Sequence, residues 1–226
     1  MTFLLPTSSA SGRSARQRAI SRSVSLLPST DVMLDNVLTA LANATPDECK
    51  EGLGWYPQAN SHAVELAEAY GLTVSQGAGV IAALSPQTGW GENIRLAHEA
   101  CIDAAQGLSA SGHFDDACQK VDLIMSGADP ADVLGGRKVR SFYANILRPL
   151  QAGPVTVDRH AIALLCGAPL DPLDRSLERV GVYQRGASVF RTVARRCDLL
   201  GHEVQAICWI HWRNLTGANL YDGEQF

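Results

Sequence analysis

The chain has 226 residues, of which 46% are hydrophobic and 19% charged, with a net charge of −4. A chain of this length folds as one domain, or two small ones at most, and buries a core without disulfide or metal staples. No apolar run reaches the roughly 18 residues that a membrane helix needs, so no spanning segment and no membrane partner are expected.

The charge is spread unevenly. Residues 1–30 hold four Arg and no acid, residues 31–130 three bases and fourteen acids, and residues 131–213 twelve bases and seven acids. The basic part suits a polyanion and the acidic part repels one. Uneven charge on a solvated surface gives the same counts. The six Cys form no C-x-x-C pair, which argues against zinc ribbons and thioredoxin-like redox motifs. Their scatter through apolar stretches fits reduced, buried thiols, and a cytoplasmic location is expected.

Residues 1–30 are rich in Ser and Arg and lack hydrophobic periodicity, so a disordered basic arm is expected. A transit peptide has the same composition, and Met33 offers an alternative start. From residue 31 to 226 the chain reads as one helical domain. Leu34, Val37, Leu38 and Leu41 repeat at helical spacing, with Asp31 placed to cap. Ala63 to Tyr70 follows, capped by Asn60 or Ser61 and stopped by Gly71. Ser75 to Leu84 is small and apolar and suits a buried helix. Helices are then expected over 93–106, 114–125, a short stretch opened by Asp129-Pro130, and 138–147. Residues 154–157 read as extended. Helices over 158–166, 188–200 and 204–214 complete an all-α domain of about ten short helices.

Three segments carry candidate chemistry. In Leu84-Ser85-Pro86-Gln87-Thr88, an apolar helix runs into a turn that exposes a primary amide, with Asn93 near the next helix start. An amide at such a corner can read a base edge or fill a gap in a base stack. The turn also reads as a simple cap by Ser85 or Thr88. In Val157-Asp158-Arg159-His160, a carboxylate stands where a helix begins. It is either an N-cap or a catalytic group held where negative charge is favoured. There it would stabilise a cation or activate water, with Arg159 as a phosphate partner and His160 as a proton carrier. The third segment, Trp209-Ile210-His211-Trp212-Arg213, reads as a packing face at the edge of the core. Asp158, His160 and His211 have no metal-ligand spacing, and no metal is expected.

Taken in this order, these three segments resemble the helix–hairpin–helix DNA glycosylase superfamily, over roughly residues 60–214. The resemblance implies a compact multi-helix domain of the glycosylase type that acts on DNA as a monomer, without a cofactor. It puts Gln87 and Asn93 at the base and makes Asp158 the catalytic carboxylate, with His160 assisting. Arg137, Lys138, Arg140 and Arg159 would hold phosphates. The chain departs from the family at its namesake hairpin. Leu134-Gly135-Gly136-Arg137-Lys138 is short for that motif, and Gly136 to Ile146 fits the preceding helix better. The hairpin, with the lysine nucleophile of bifunctional members, is then reduced or missing, and the four-Cys iron–sulfur signature is absent.

The expected activity is therefore base excision or processing on a flipped nucleobase. The alternatives are thymine hypermodification in phage or bacterial DNA with the glycosidic bond left intact, and a non-catalytic DNA-binding module. Asp158 is expected within reach of Gln87. Lys138 is expected on a basic face with Arg137 and Arg140, away from Asp158.

Overall fold

The computed structural model describes residues 27–171 and 174–217. Among them the chain is all-helical, with ten α-helices and one 3-10 turn. No helix among the described residues is long and apolar enough to cross a membrane.

Helix α1 (Thr30–Asn43) is capped by Ser29, whose hydroxyl accepts from Val32 N at 3.3 Å, and Asp31 lies in its first turn. The expected boundary of the arm at residue 30 is therefore too late. Leu27 is buried, the Pro28 carbonyl accepts from the Arg185 guanidinium, and Ser29 is the cap. These residues belong to the domain, and the rest of the expected arm, residues 1–26, lies outside the described residues.

Helix α2 (Pro46–Tyr70) is 25 residues long and starts well before the expected Asn60 or Ser61 cap. Thr45 and Glu48 form a reciprocal capping box, and Pro46 takes the first helical position. Gly52, Gly54 and Pro57 have the look of helix breakers but lie inside it. Gly52 is required there, because a Cβ would stand 2.6 Å from Ile207 Cα. Pro57 deprives the Leu53 carbonyl of its helical donor, and Leu53 lies on the exposed side of the helix.

Helix α3 (Val74–Ala83) is buried from Gly77 to Ala83. Its glycines admit neighbours closely: a Cβ on Gly77 would meet the Ala63 carbonyl oxygen at 2.4 Å. Helix α4 (Trp90–Ala105) begins three residues before Asn93. Next come α5 (Asp115–Met125), α6 (Pro130–Val133) and α7 (Arg137–Leu147). No further helix lies between α7 and Asp158. Asp158 caps α8 (Arg159–Cys166), and a 3-10 turn (Ser176–Glu178) leads to α9 (Val182–Cys197) and α10 (Gly201–Thr216). Helix α9 begins at Val182 rather than Ser188, because Val182, Tyr183 and Gly186 all face inward.

Two apolar clusters form the core. The first gathers Leu66, Ile81, Leu84, Ile124, Leu134 and Ile146. The second gathers Met33, Ile162, Leu165, Phe190, Val193 and Val204. Helix α2 packs on α3, α4 and α7 in the first cluster and crosses α10. Helix α10 gives Ala206 to the first cluster and Val204 and Cys208 to the second. A cleft opens beside the first cluster, with Tyr56 and Ala206 in its lining.

Deleting residues 1–30 removes the burial of Leu27, the Arg185 contact and the Ser29 cap. It should cost about 2–4 kcal/mol, from one buried leucine and one lost cap. Chemical denaturation measures this, and an unchanged midpoint would show that residues 27–30 do not belong to the folded unit.

Candidate functional site

The cleft has a volume of about 310 Å³. One wall is aromatic. The Trp55 ring centroid lies 5.3 Å from that of Trp90 and 5.3 Å from that of Trp209. The Arg213 guanidinium covers the Trp209 ring at 4.1 Å, a cation–π contact. Phe142 closes the far side, 6.4 Å from Trp90 and 6.2 Å from Tyr56. These rings come from α2, α4, α7 and α10, so both halves of the molecule build the wall.

Asp158 lies at the opening of α8 and lines this cleft. Its Oδ1 accepts from Ala161 N at 2.7 Å, and its Oδ2 accepts from Trp209 Nε1 at 2.9 Å. The carboxylate is thus fixed by a helix end and by an indole of the wall. Each oxygen keeps a lone pair for a ligand. Beneath it, the Tyr56 hydroxyl lies 2.9 Å from Thr156 Oγ1 and 3.3 Å from Gln205 Oε1. Asn145 Nδ2 donates to the same Thr156 oxygen at 3.1 Å. Burial pushes the Tyr56 phenol far up, so it stays protonated.

Asn93 also lines the cleft, at 2% exposure, and its Oδ1 has no partner among the described residues. A buried carbonyl oxygen without a donor carries a desolvation cost that an N–H on a ligand removes. Lys138 and Arg213 supply the positive charge of the lining. Burial lowers the Arg213 pKa.

The sequence-derived candidates separate in space. Asp158, Asn93 and Lys138 meet in the cleft. Lys138 is therefore not on a face remote from Asp158, as its neighbours in sequence implied. Lys138 and Phe142 are one helical turn apart on α7 and turn inward together, whereas Arg137 and Arg140 line a different cleft. Gln87 is exposed and does not line the cleft, although Ser85 and Thr88 beside it do. Its φ of 59° is left-handed, a strained conformation for a residue other than glycine. Thr88 anchors that corner, with Oγ1 2.7 Å from His113 Nε2.

His160 stands behind Trp209, with ring centroids 6.4 Å apart, and is not in the lining. Burial lowers its pKa against the pull of Asp158, so the ring is neutral at neutral pH. Arg159 points elsewhere: its Nη2 donates to the carbonyls of Leu170 at 3.0 Å and Asp171 at 2.7 Å. His211 pairs with Glu48. No group of three or more His, Cys, Asp or Glu among the described residues is arranged to hold a metal ion. The six cysteines are free. Cys101, Cys118 and Cys208 are buried, but Cys197 is exposed, against the expectation of buried thiols throughout.

Sequence reading missed Trp55, Tyr56, Trp90, Phe142 and Gln205. Trp55 and Tyr56 sit between Gly54 and Pro57, where no helix is expected. Trp90 and Gln205 gave no spacing signal, because the wall forms only when distant helices pack.

Glu48 holds the frame of the cleft. Its carboxylate accepts from Thr45 N at 2.9 Å at the start of α2, and from His211 Nδ1 at 2.9 Å and Asn214 Nδ2 at 2.8 Å near the end of α10. Partial burial raises its pKa, but these hydrogen bonds outweigh it and hold the value at about 2. A carboxylate depressed in the folded state stabilises above its unfolded pKa and loses that contribution as pH falls through the folded value. Melting temperatures between pH 5 and pH 2 should therefore fall less steeply in Glu48→Gln than in the wild type. Parallel curves would show that Glu48 is not the clamp.

No curated protein and no solved structure matches the chain. A family of unknown function, DUF7178, matches over residues 21–216, which takes in every helix of the cleft, and the chain belongs to that family.

Proposed function

We propose that this protein is a DNA-acting enzyme that receives a flipped nucleobase in the aromatic cleft, with Asp158 as its catalytic carboxylate. One observation carries this reading: a doubly anchored carboxylate faces a cleft walled by three tryptophans, with cationic side chains in the same lining. An extruded base offers a planar π face for such a wall and ring N–H or carbonyl groups for Asn93. The carboxylate stabilises positive charge that develops on the sugar as the glycosidic bond weakens, or it takes a proton from water. Lys138 meets a phosphate next to the extruded nucleotide. Gln87, exposed at the cleft's corner, fills the gap left in the stack rather than touching the base inside. His160 supports Trp209 from behind and acts on the substrate only through that ring.

Asp158→Asn is the decisive variant. Asparagine offers one oxygen, so it caps Ala161 or accepts from Trp209, but not both. The loss should cost about 1–2 kcal/mol in stability, the scale of one broken hydrogen bond. Activity should vanish. Incubation with duplexes carrying damaged or modified bases, followed by mass spectrometry of released bases and digested nucleosides, reads this directly. Free base appears in excision. A changed base mass in an intact strand marks hypermodification. Unaltered DNA that is nonetheless bound marks a binding module. Turnover retained in Asp158→Asn would remove the carboxylate from the mechanism.

Lys138 has its own test. As a phosphate contact, Lys138→Ala should weaken DNA binding roughly tenfold, about 1.4 kcal/mol for a charge-assisted hydrogen bond. The wild type should form no covalent adduct when borohydride is added with DNA containing abasic sites. An adduct that disappears in Lys138→Ala would make the amine a nucleophile instead.

A further inference from the structure

The wall that carries Lys138 has a second side. Beyond it lies another cleft, of about 280 Å³, bordered by Arg137, Arg140 and Arg191 with Ser141, Tyr183 and Val155. The same two segments border both clefts. On α7, Lys138 and Phe142 face the aromatic cleft, and Arg137, Arg140 and Ser141 face the second. In the extended stretch before α8, Thr156 and Asp158 border the first and Pro154 and Val155 the second. The separation between the two is therefore about one helix width, on the order of 10 Å.

The second cleft is cationic without compensation. No acidic residue lines it, and Arg137, Arg140 and Arg191 enter no ion pair among the described residues. Arg140 donates through Nε to the Leu134 carbonyl at 2.6 Å, which fixes its guanidinium. The stem of Arg191 lies against Gly201, where a Cβ would stand 3.0 Å from Arg191 Cγ. The floor is rigid: the Tyr183 hydroxyl lies 2.9 Å from both Ser141 Oγ and the Val155 carbonyl oxygen.

The start of α7 makes the same demand independently. This 11-residue helix has Gly136 at its N-cap, no side-chain cap and no acid in its first turn, and Arg137 and Lys138 open it. A helix N-terminus carries roughly half a positive charge, so cations there are unfavourable unless an anion joins them. Guanidinium groups suit the paired oxygens of a phosphate, and that of Arg140 is held in place. The segment over residues 31–130 repels polyanions, since it holds fourteen acids against three bases.

We propose that the cleft of Arg137, Arg140 and Arg191 binds a backbone phosphate of the DNA strand whose base occupies the aromatic cleft. This rests on the function proposed above and adds the path of the strand, over the N-terminal end of α7. It also assigns a role to Arg191, and it separates Arg137 and Arg140 from Lys138.

The test is the salt dependence of binding to a fluorescein-labelled single-stranded oligodeoxynucleotide, read by anisotropy. Each lost phosphate contact makes the negative slope of log K against log salt shallower by about 0.7 on a single strand. Arg137→Gln and Arg191→Gln should each show that loss. Arg196→Gln, which removes an exposed charge of the same helix as Arg191 outside the cleft, should not. Unchanged melting temperatures verify that the variants are folded. Wild-type binding with an unaltered slope in Arg137→Gln and Arg191→Gln overturns the phosphate site and leaves the proposed function standing. An equal loss in Arg196→Gln also overturns it, as diffuse surface charge. A wild type that binds neither this oligonucleotide nor a labelled duplex overturns both. In that case a rise in melting temperature with inorganic phosphate, lost in Arg137→Gln and Arg191→Gln, would assign the cleft to a free phosphate rather than a strand.

Discussion

The crossing of α2 over α10 is the contact on which the rest of the molecule depends. At Gly52 the two helices approach until a single Cβ would overlap the backbone of Ile207. That closeness sets the distance between the two apolar clusters, since α2 packs into one and α10 contributes to both. It also brings Trp55 and Trp209 to 5.3 Å. Glu48 pins the crossing at its outer end by joining the start of α2 to His211 and Asn214. A glycine in a helix interior costs about 1 kcal/mol against alanine. Here that cost is offset by the burial that a close crossing permits, and the cleft is its geometric consequence.

The electrostatic layout follows from the same frame. Three exposed carboxylates of the first half are held in local pairs, Glu92 and Glu99 with Arg95 and Asp116 with Lys120. Such exposed pairs contribute little to stability. They leave the surface there acidic on balance. Three basic residues of the second half open α7, where Lys138 enters one cleft and Arg137 and Arg140 the other. A net charge of −4 is therefore compatible with a local anion site. The whole-chain value conceals the segregation that sets where a polyanion approaches.

The helical class and most helix positions were legible because apolar spacing and caps are local signals. Asp158 was legible for the same reason: an extended lead, an acid and an apolar run define a helix start. The first half of α2 was not. Gly52, Gly54 and Pro57 are breakers by intrinsic preference, and only the contact with Ile207 explains why a glycine belongs there. Trp55 was hidden with it. The two faces of α7 were present in the sequence as helical phase, but nothing local tells which face meets a cleft. Arg191 was illegible, because its place beside Arg137 depends on how α9 packs. Asp158 and Gln87 both stand at helix boundaries in the sequence, and the fold leaves one inside the cleft and the other on its corner.

Helix cap and reactive carboxylate were opposed readings of Asp158, and the geometry makes them one arrangement. A cap needs one oxygen in one direction, which Oδ1 supplies to Ala161 N. That bond sets the rotamer and leaves Oδ2 facing α10, where Trp209 donates to it. A carboxylate held at both oxygens cannot swing away when a ligand arrives, so its remaining lone pairs are aimed before binding. Preorganisation of this kind spares the reorganisation that a free side chain would undergo at the moment of reaction. The same bond orients the indole that stands between Trp55 and the Arg213 guanidinium. Stability and site geometry are thus carried by the same two hydrogen bonds. Neither can be altered at Asp158 without the other.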